Sequence, residues 1–341
     1  MRWLLLPLLA AACGRPAPAP ATPDAPPPPT THPVLLVANK ADATLSVLEL
    51  PDGRAIATLP TEIGPHEIAV SPDGKRVVVT SYGDQVTLGR ALTVVDLPSL
   101  SVAKTIDLGE FRRPHGIAFL PDGKRVVVTA EVNAAVLLVD VDTGAVSSIS
   151  TSQQGTHMLA LAPDGTRAYT ANIGSGTLTA IDLVAMRAGE PVAGVPMSEA
   201  IAITPDGKEV WTASLQNHRI AIFDAPMLTA GATLAGAGTP IRITSTPDGT
   251  SMIVSNASAS SIQIVDVATR AIETIATPPL AGASAVPVGS VVASDSKTAY
   301  VALVAEDRVA VIDLASRAIV GHLPTGHSPD GLGYSTAFVP R

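Results

Sequence analysis

From Val34 onward the chain alternates short apolar runs with polar turns, and no helical period of apolar residues appears. One stretch shows the unit. "IAVS" is followed by "KRVVVTS", then "LTVVDL", then "SVAKTIDL", separated by Pro-Asp-Gly, by a longer loop around Tyr82–Arg90 and by Pro-Ser. Runs this short, bounded this regularly, predict antiparallel strands in a meander. The phrase "PHEIAVSPDGKRVVV" (Pro65–Val79) returns almost unchanged as "PHGIAFLPDGKRVVV" (Pro114–Val128), so the meander is a repeat.

Two landmarks count the copies. The turn aspartate recurs at Asp73, Asp122, Asp164, Asp206, Asp248 and, in degenerate form, Asp295, with spacings of 49, 42, 42, 42 and 47 residues. An acidic residue closes an apolar run at Glu49, Asp96, Asp140, Asp182, Asp224, Asp266 and Asp313. Turn glycine (or Ser296) to closing acid is 17 residues in five copies and 22 in the Gly74 copy, which places an insertion around Tyr82–Arg90. A repeat of about 42 residues with four strands has the size of one propeller blade. The chain opens with only three strands, "VLLVANK", "TLSVLEL" and "AIATLPT", and ends on "SPDGLGYS" (Ser328–Ser335), which aligns with "GPHEIAVS". The expected fold is therefore all-β: a seven-bladed β-propeller of four-stranded antiparallel blades over 34–341, closed by the C-terminal strand joining the first blade, with no open sheet edge.

The segments "PHGIAFLPDGKRVVVTA", "APDGTRAYTANIGSGTLTAIDL" and "TPDGTSMIVSNASASSIQIVDV" resemble the YVTN-type β-propeller repeat family, over roughly 34–335. The resemblance implies the propeller fold and a bacterial surface or periplasmic setting. Its neighbouring families include lactonases and copper or quinone oxidoreductase modules.

Composition narrows the picture. Aromatics are 3% of the chain, so the core rests on Val, Ile, Leu and Ala. The net charge of −8, with no basic run, excludes nucleic acid as the main partner. "MRWLLLPLLAAA" reads as a short export signal over 1–12, too short to span a bilayer. Cys13, the only cysteine, follows in a context that resembles a lipobox, with Ala10 where that family favours Leu. Residues 13–33 then form a lipidated cysteine and a Pro/Ala-rich tether. The expected location is extracytoplasmic, in the periplasm or cell envelope, held to the membrane by a lipid at Cys13, as a monomer.

The turn aspartates and closing acids suit turn N–H groups better than chemistry. Histidines carry more information. The position after the opening proline of each phrase holds His66, His115, His157, Glu199, Ile241, Val288 and, from the closing strand, Asp330. In a propeller these positions surround the central channel at one mouth. His218 and His327 map to loops on the same face, and His322 to an outer strand. Imidazole with a carboxylate suits a divalent metal (Zn, Cu or Ca), with His66, His115, His157 and Glu199 as ligands and Glu199 or Asp330 as fourth ligand or base. Arg242 enters an inner strand, where it meets an anionic ligand or pairs with Glu67. No P-loop, dinucleotide glycine pattern, cysteine pair or Gly-x-Ser-x-Gly is present. Two readings follow. One is a binding scaffold for a protein partner or small anionic ligand, acting through His66, His115, His157, Glu199, Asp330, Arg242 and His218. The other is a metal-dependent enzyme on that face, a lactonase-type hydrolase or a copper- or quinone-linked redox module.

Overall fold

A computed structural model describes residues 32–280 and 284–338. The export signal, Cys13 and the tether up to residue 31 lie outside the described residues. Seven antiparallel sheets follow one another around a ring, as the repeat predicts. In blade 1 the C-terminal strand Pro329–Phe338 pairs with His32–Asn39, which pairs with Thr44–Glu49 and then Arg54–Pro60. Blades 2 to 7 begin with inner strands Pro65–Val70, Pro114–Phe119, Thr156–Leu161, Ser198–Ile203, Pro240–Ser245 and Pro287–Val292. Each runs outward through three further strands in sequence order.

Burial explains why this sequence makes these strands. Middle strands such as Arg125–Ala130 and Ala135–Asp140 are buried on both faces, because each sheet packs between two others. Their sequences, RVVVTA and AVLLVD, are continuous β-branched or leucine runs. Outermost strands such as Ser101–Asp107 alternate exposed and sheltered residues instead. The interface between blades 2 and 3 stacks Val78, Leu92 and Val94 on Val126, Val128 and Leu137. Trp211 fills the corresponding space between blades 5 and 6.

The repeated acids serve the turns. Asp73, Asp122, Asp164, Asp206, Asp248 and Asp295 each accept the N–H two residues on. Asp96, Asp140, Asp182, Asp266 and Asp313 each accept an N–H three residues on. Blade 4 departs from the ideal unit. Its fourth strand is split into Arg187–Ala188 and Val192–Ala193, both on the third strand. Pro191, between them, has no N–H to donate to the ladder.

Candidate functional site at the channel mouth

Every inner strand is irregular at one place. The register shifts across His66, His115, His157, Glu199, Ile241 and Val288 in blades 2 to 7, and across the segment holding Asp330 in blade 1. A β-bulge leaves one residue without a cross-strand partner and re-aims its side chain. Here it does so seven times, giving a ring of Asp330, His66, His115, His157, Glu199, Ile241 and Val288. The ring is tight. A Cβ on Gly331 would lie 1.9 Å from the His66 carbonyl oxygen, and one on Gly289 would lie 2.0 Å from that of Asp330. Only glycine fits where neighbouring inner strands come this close.

A second ring lies beside the first. The residue leading into each inner strand accepts, through its carbonyl, the N–H of a residue at or just past the end of the second strand of the blade. The donors are Lys40, Tyr82, Glu131, Ile173, Leu215, Ala257 and Val304. Lead-in residues Gly64, Arg113, Gly155, Met197, Val286 and Ser328 all have positive φ, which turns the chain down into the channel. The two rings together are polarised. Blades 1 to 3 present Asp330, His66, His115, Lys40, Tyr82 and Glu131, while blades 6 and 7 present Ile241, Val288 and Val304. Between them lies a cavity of about 930 Å³, lined by both arcs and by the inserted loop at Tyr82–Gln85.

The three histidines form a row in ring contact. The ring centroids of His66 and His115 are 4.3 Å apart, and those of His115 and His157 are 3.8 Å apart. Tyr82 meets His66 and His115 edge-on. At one end, His66 Nδ1 lies 3.0 Å from Asp330 Oδ2, and Lys40 donates to the same oxygen at 3.2 Å. At the other end, His157 Nδ1 donates to Glu131 at 2.8 Å. Its Nε2 lies 3.0 Å from Glu199 Oε1, an ion-pair contact off hydrogen-bond alignment. Tyr82 Oη donates to Glu131 at 2.9 Å and accepts from Arg113 at 2.9 Å. Arg242 pairs with Glu67 across the channel, the second of the two roles open to it from the sequence.

These contacts set the charges. Burial opposes the imidazolium of His157, but Glu131 and Glu199 outweigh it and raise its pKa to about 9. Burial and the neighbouring His157, His66 and Arg242 cations or rings hold His115 well below the usual histidine range. Burial opposes the charged form of Asp330, yet His66, Lys40 and Arg242 hold it well below the usual carboxylate range. Burial and Glu131 push the Tyr82 phenol up to about 12. Two adjacent imidazoles therefore differ in state: His157 is a cation and His115 is neutral.

The tautomer of His115 follows from its other neighbour. Its Nδ1 lies 3.0 Å from Met158 Sδ, which also accepts from Arg242 Nη1 at 3.3 Å. A thioether has no proton to give, so Nδ1 carries the hydrogen and Nε2 keeps the lone pair. His115 is thus a neutral base of fixed tautomer on a cavity wall.

Of the expected metal set, His157 is engaged by Glu131 and Glu199 through its two ring nitrogens. The donor atoms that do converge within 4.8 Å belong to His66, Glu67 and His115. Glu67 there answers Arg242, and Lys40 and Arg242 oppose a further cation.

Residues 34–288 match the family described as "Lactonase, 7-bladed beta-propeller". The chain belongs to this lactonase family. The match supports the propeller expected from the repeat, and it is to the lactonase family rather than to the YVTN-type repeat. Among solved structures, the lactonase-family chain is similar to Kuenenia stuttgartiensis hydrazine synthase, at 18% identity and a TM-score of 0.69, covering 78% of this chain and 88% of that one. It is also similar to a functionally unknown protein from Desulfotomaculum acetoxidans DSM 771, at 14% identity and a TM-score of 0.75, covering 89% and 98%. Likeness at these identities shows the fold. No curated protein matches the chain.

Of the residues expected at the site, the lactonase-family propeller brings His66, His115, His157, Glu199, Asp330 and Arg242 to one cavity. His218 is not among the residues lining it. It sits exposed in the turn before Arg219–Asp224, with φ of 57°. His327 is exposed and donates to Asp42, tying the closing strand to blade 1. Lys40, Tyr82 and Glu131 were not singled out from the sequence as site residues. Their common signal is positional, since each lies at or just past the end of a second strand.

Proposed function

We propose that the channel mouth is the active site of a lactone hydrolase that works without a resident metal. The observation that carries this reading is the pairing of His115 with His157: a neutral imidazole with its lone pair on Nε2, in ring contact with an imidazolium held between two carboxylates. Membership of the lactonase family supports the reaction class.

In this mechanism His115 Nε2 takes a proton from water as the water oxygen attacks the lactone carbonyl. The new C–O bond forms, the carbonyl oxygen gains charge, and the cations of Lys40 and Arg242 stabilise it. The ring C–O bond then breaks, and the proton returns from His115 to the leaving alkoxide, giving the hydroxy acid. Glu131 and Glu199 hold His157 charged. His157 in turn keeps His115 unprotonated, so both carboxylates are positioning residues that act through it. The N-terminal sequence supports placing this activity outside the cytoplasmic membrane, on a lipid anchor at Cys13.

The test is acid release from a panel of γ- and δ-lactones, followed by pH-stat. His115→Gln is expected to lower kcat by about 10²- to 10⁴-fold, the usual contribution of a general base. Hydrolysis undiminished in that variant, or no acid release from any lactone by the wild type, overturns the reading. In the second case the mouth is a binding site only.

A further inference from the structure

We infer that the lactone taken by this site is uncharged and carries an aliphatic chain, which lies along the apolar arc of blades 6 and 7. The inference rests on the hydrolase reading above and adds the substrate class.

The charged side chains are already matched. Glu67 faces Arg242, Asp330 faces Lys40 and His66, and His157 lies between Glu131 and Glu199. Arg113 lies over the Tyr82 ring and donates to its hydroxyl, beside Glu131. Five carboxylates (Glu67, Glu131, Glu199, Asp330 and Asp84, the last accepting from the N–H groups of Val86 and Thr87) thus stand against four cations (Lys40, Arg113, Arg242, His157). A phosphate or carboxylate on the substrate would need one of these pairs broken, and separating a buried pair is costly. An uncharged carbonyl needs only the outer edge of a cation that stays paired. Lys40, a third exposed, offers such an edge.

The arc of blades 6 and 7 is apolar apart from Arg242. Ile241, Val288, Val286 and Val304 face the cavity from the side opposite the histidine row, with Ala41 and Ala43 of blade 1 beside them. Both rings contribute, since Ile241 and Val288 are bulged inner-strand residues and Val304 follows a second strand. None of these six side chains has a hydrogen bond to offer, so a polyhydroxylated sugar lactone would lose its water partners there without replacement. An alkyl chain would instead shed apolar surface. At about 930 Å³ the cavity is at the upper end of the range for small-molecule sites, leaving room beyond a five- or six-membered ring.

The experiment measures kcat/KM for γ-butyrolactone, γ-octalactone and γ-decalactone, with glucono-δ-lactone as the polar comparator. Each added methylene buried on the apolar arc is expected to raise kcat/KM by about fourfold until the cavity is full. Ile241→Thr and Val288→Ser are each expected to reduce the ratio of the decalactone rate to the butyrolactone rate. Should one variant fail to fold, the other still reports. A flat or falling chain-length series, or a preference for glucono-δ-lactone, overturns this inference and leaves the hydrolase reading standing. If no lactone is hydrolysed, the hydrolase reading fails, and calorimetric titration of the wild type with the same γ-lactones decides the inference. Affinity that rises with chain length supports it, and no binding overturns it.

Discussion

His157 offers a stability signature that is independent of any substrate. Its pKa is raised from 6.5 to about 9 by Glu131 and Glu199. At 1.36 kcal/mol per pKa unit the difference corresponds to about 3 kcal/mol of folding stability. Because the folded value lies above the unfolded one, this contribution is complete below about pH 6.5 and is lost as pH rises through about 9. His157→Gln removes the cation and leaves two carboxylates facing each other at the same place. The stability gap between wild type and variant is therefore expected to be about 3 kcal/mol near pH 6, or about 6 °C in Tm, and to shrink toward zero near pH 10. Thermal melts of both proteins across that range measure it, and taking the difference cancels every other group that titrates in both. A gap that stays constant with pH, or that grows on the alkaline side, refutes the reasoning, because His157 would then not be the charged partner of Glu131 and Glu199.

Three further outcomes follow from the site. The kcat/KM profile for lactone hydrolysis is expected to persist below pH 6.5, because His115 stays neutral there; a rate that falls away through the ordinary histidine range contradicts the assigned roles. Dialysis against a chelator is expected to leave hydrolysis unchanged, and restoration by added zinc after loss would return the histidines to metal ligation. Gly331→Ala drives a Cβ to 1.9 Å from the His66 carbonyl oxygen, so the Asp330–His66 pair is expected to separate. Overpacking of this kind costs about 1–3 kcal/mol, read as a lower Tm together with reduced hydrolysis.

The architecture was legible because it repeats. Asp-Gly turns and closing acids recur at fixed spacing, the Gly74 copy announces its own insertion, and "SPDGLGYS" aligns with the phrase it substitutes for. The inner ring was legible for the same reason: one position in each phrase maps to one place in the channel. What a linear repeat does not carry is the bulge that aims that position inward, or the pairing between blades. Glu131 and Glu199 meet at His157 only because three successive blades bring them there. His218 shares a loop with residues of the right face, but its turn with positive φ holds it out in solvent. Three histidines in a row suggested metal ligation. That carboxylates stand on both sides of His157 was not visible from the sequence, because their effect depends on distance, which spacing alone does not give.

Closing the ring with the last strand also orders events in the life of the chain. Lys40 and Asp330 touch across 290 residues, and the row that starts at His66 is anchored by that contact. A ribosome still short of residue 330 has made every histidine of the site but not the carboxylate that seats the first of them. The ring of channel-facing residues is therefore complete only once the closing strand has been made.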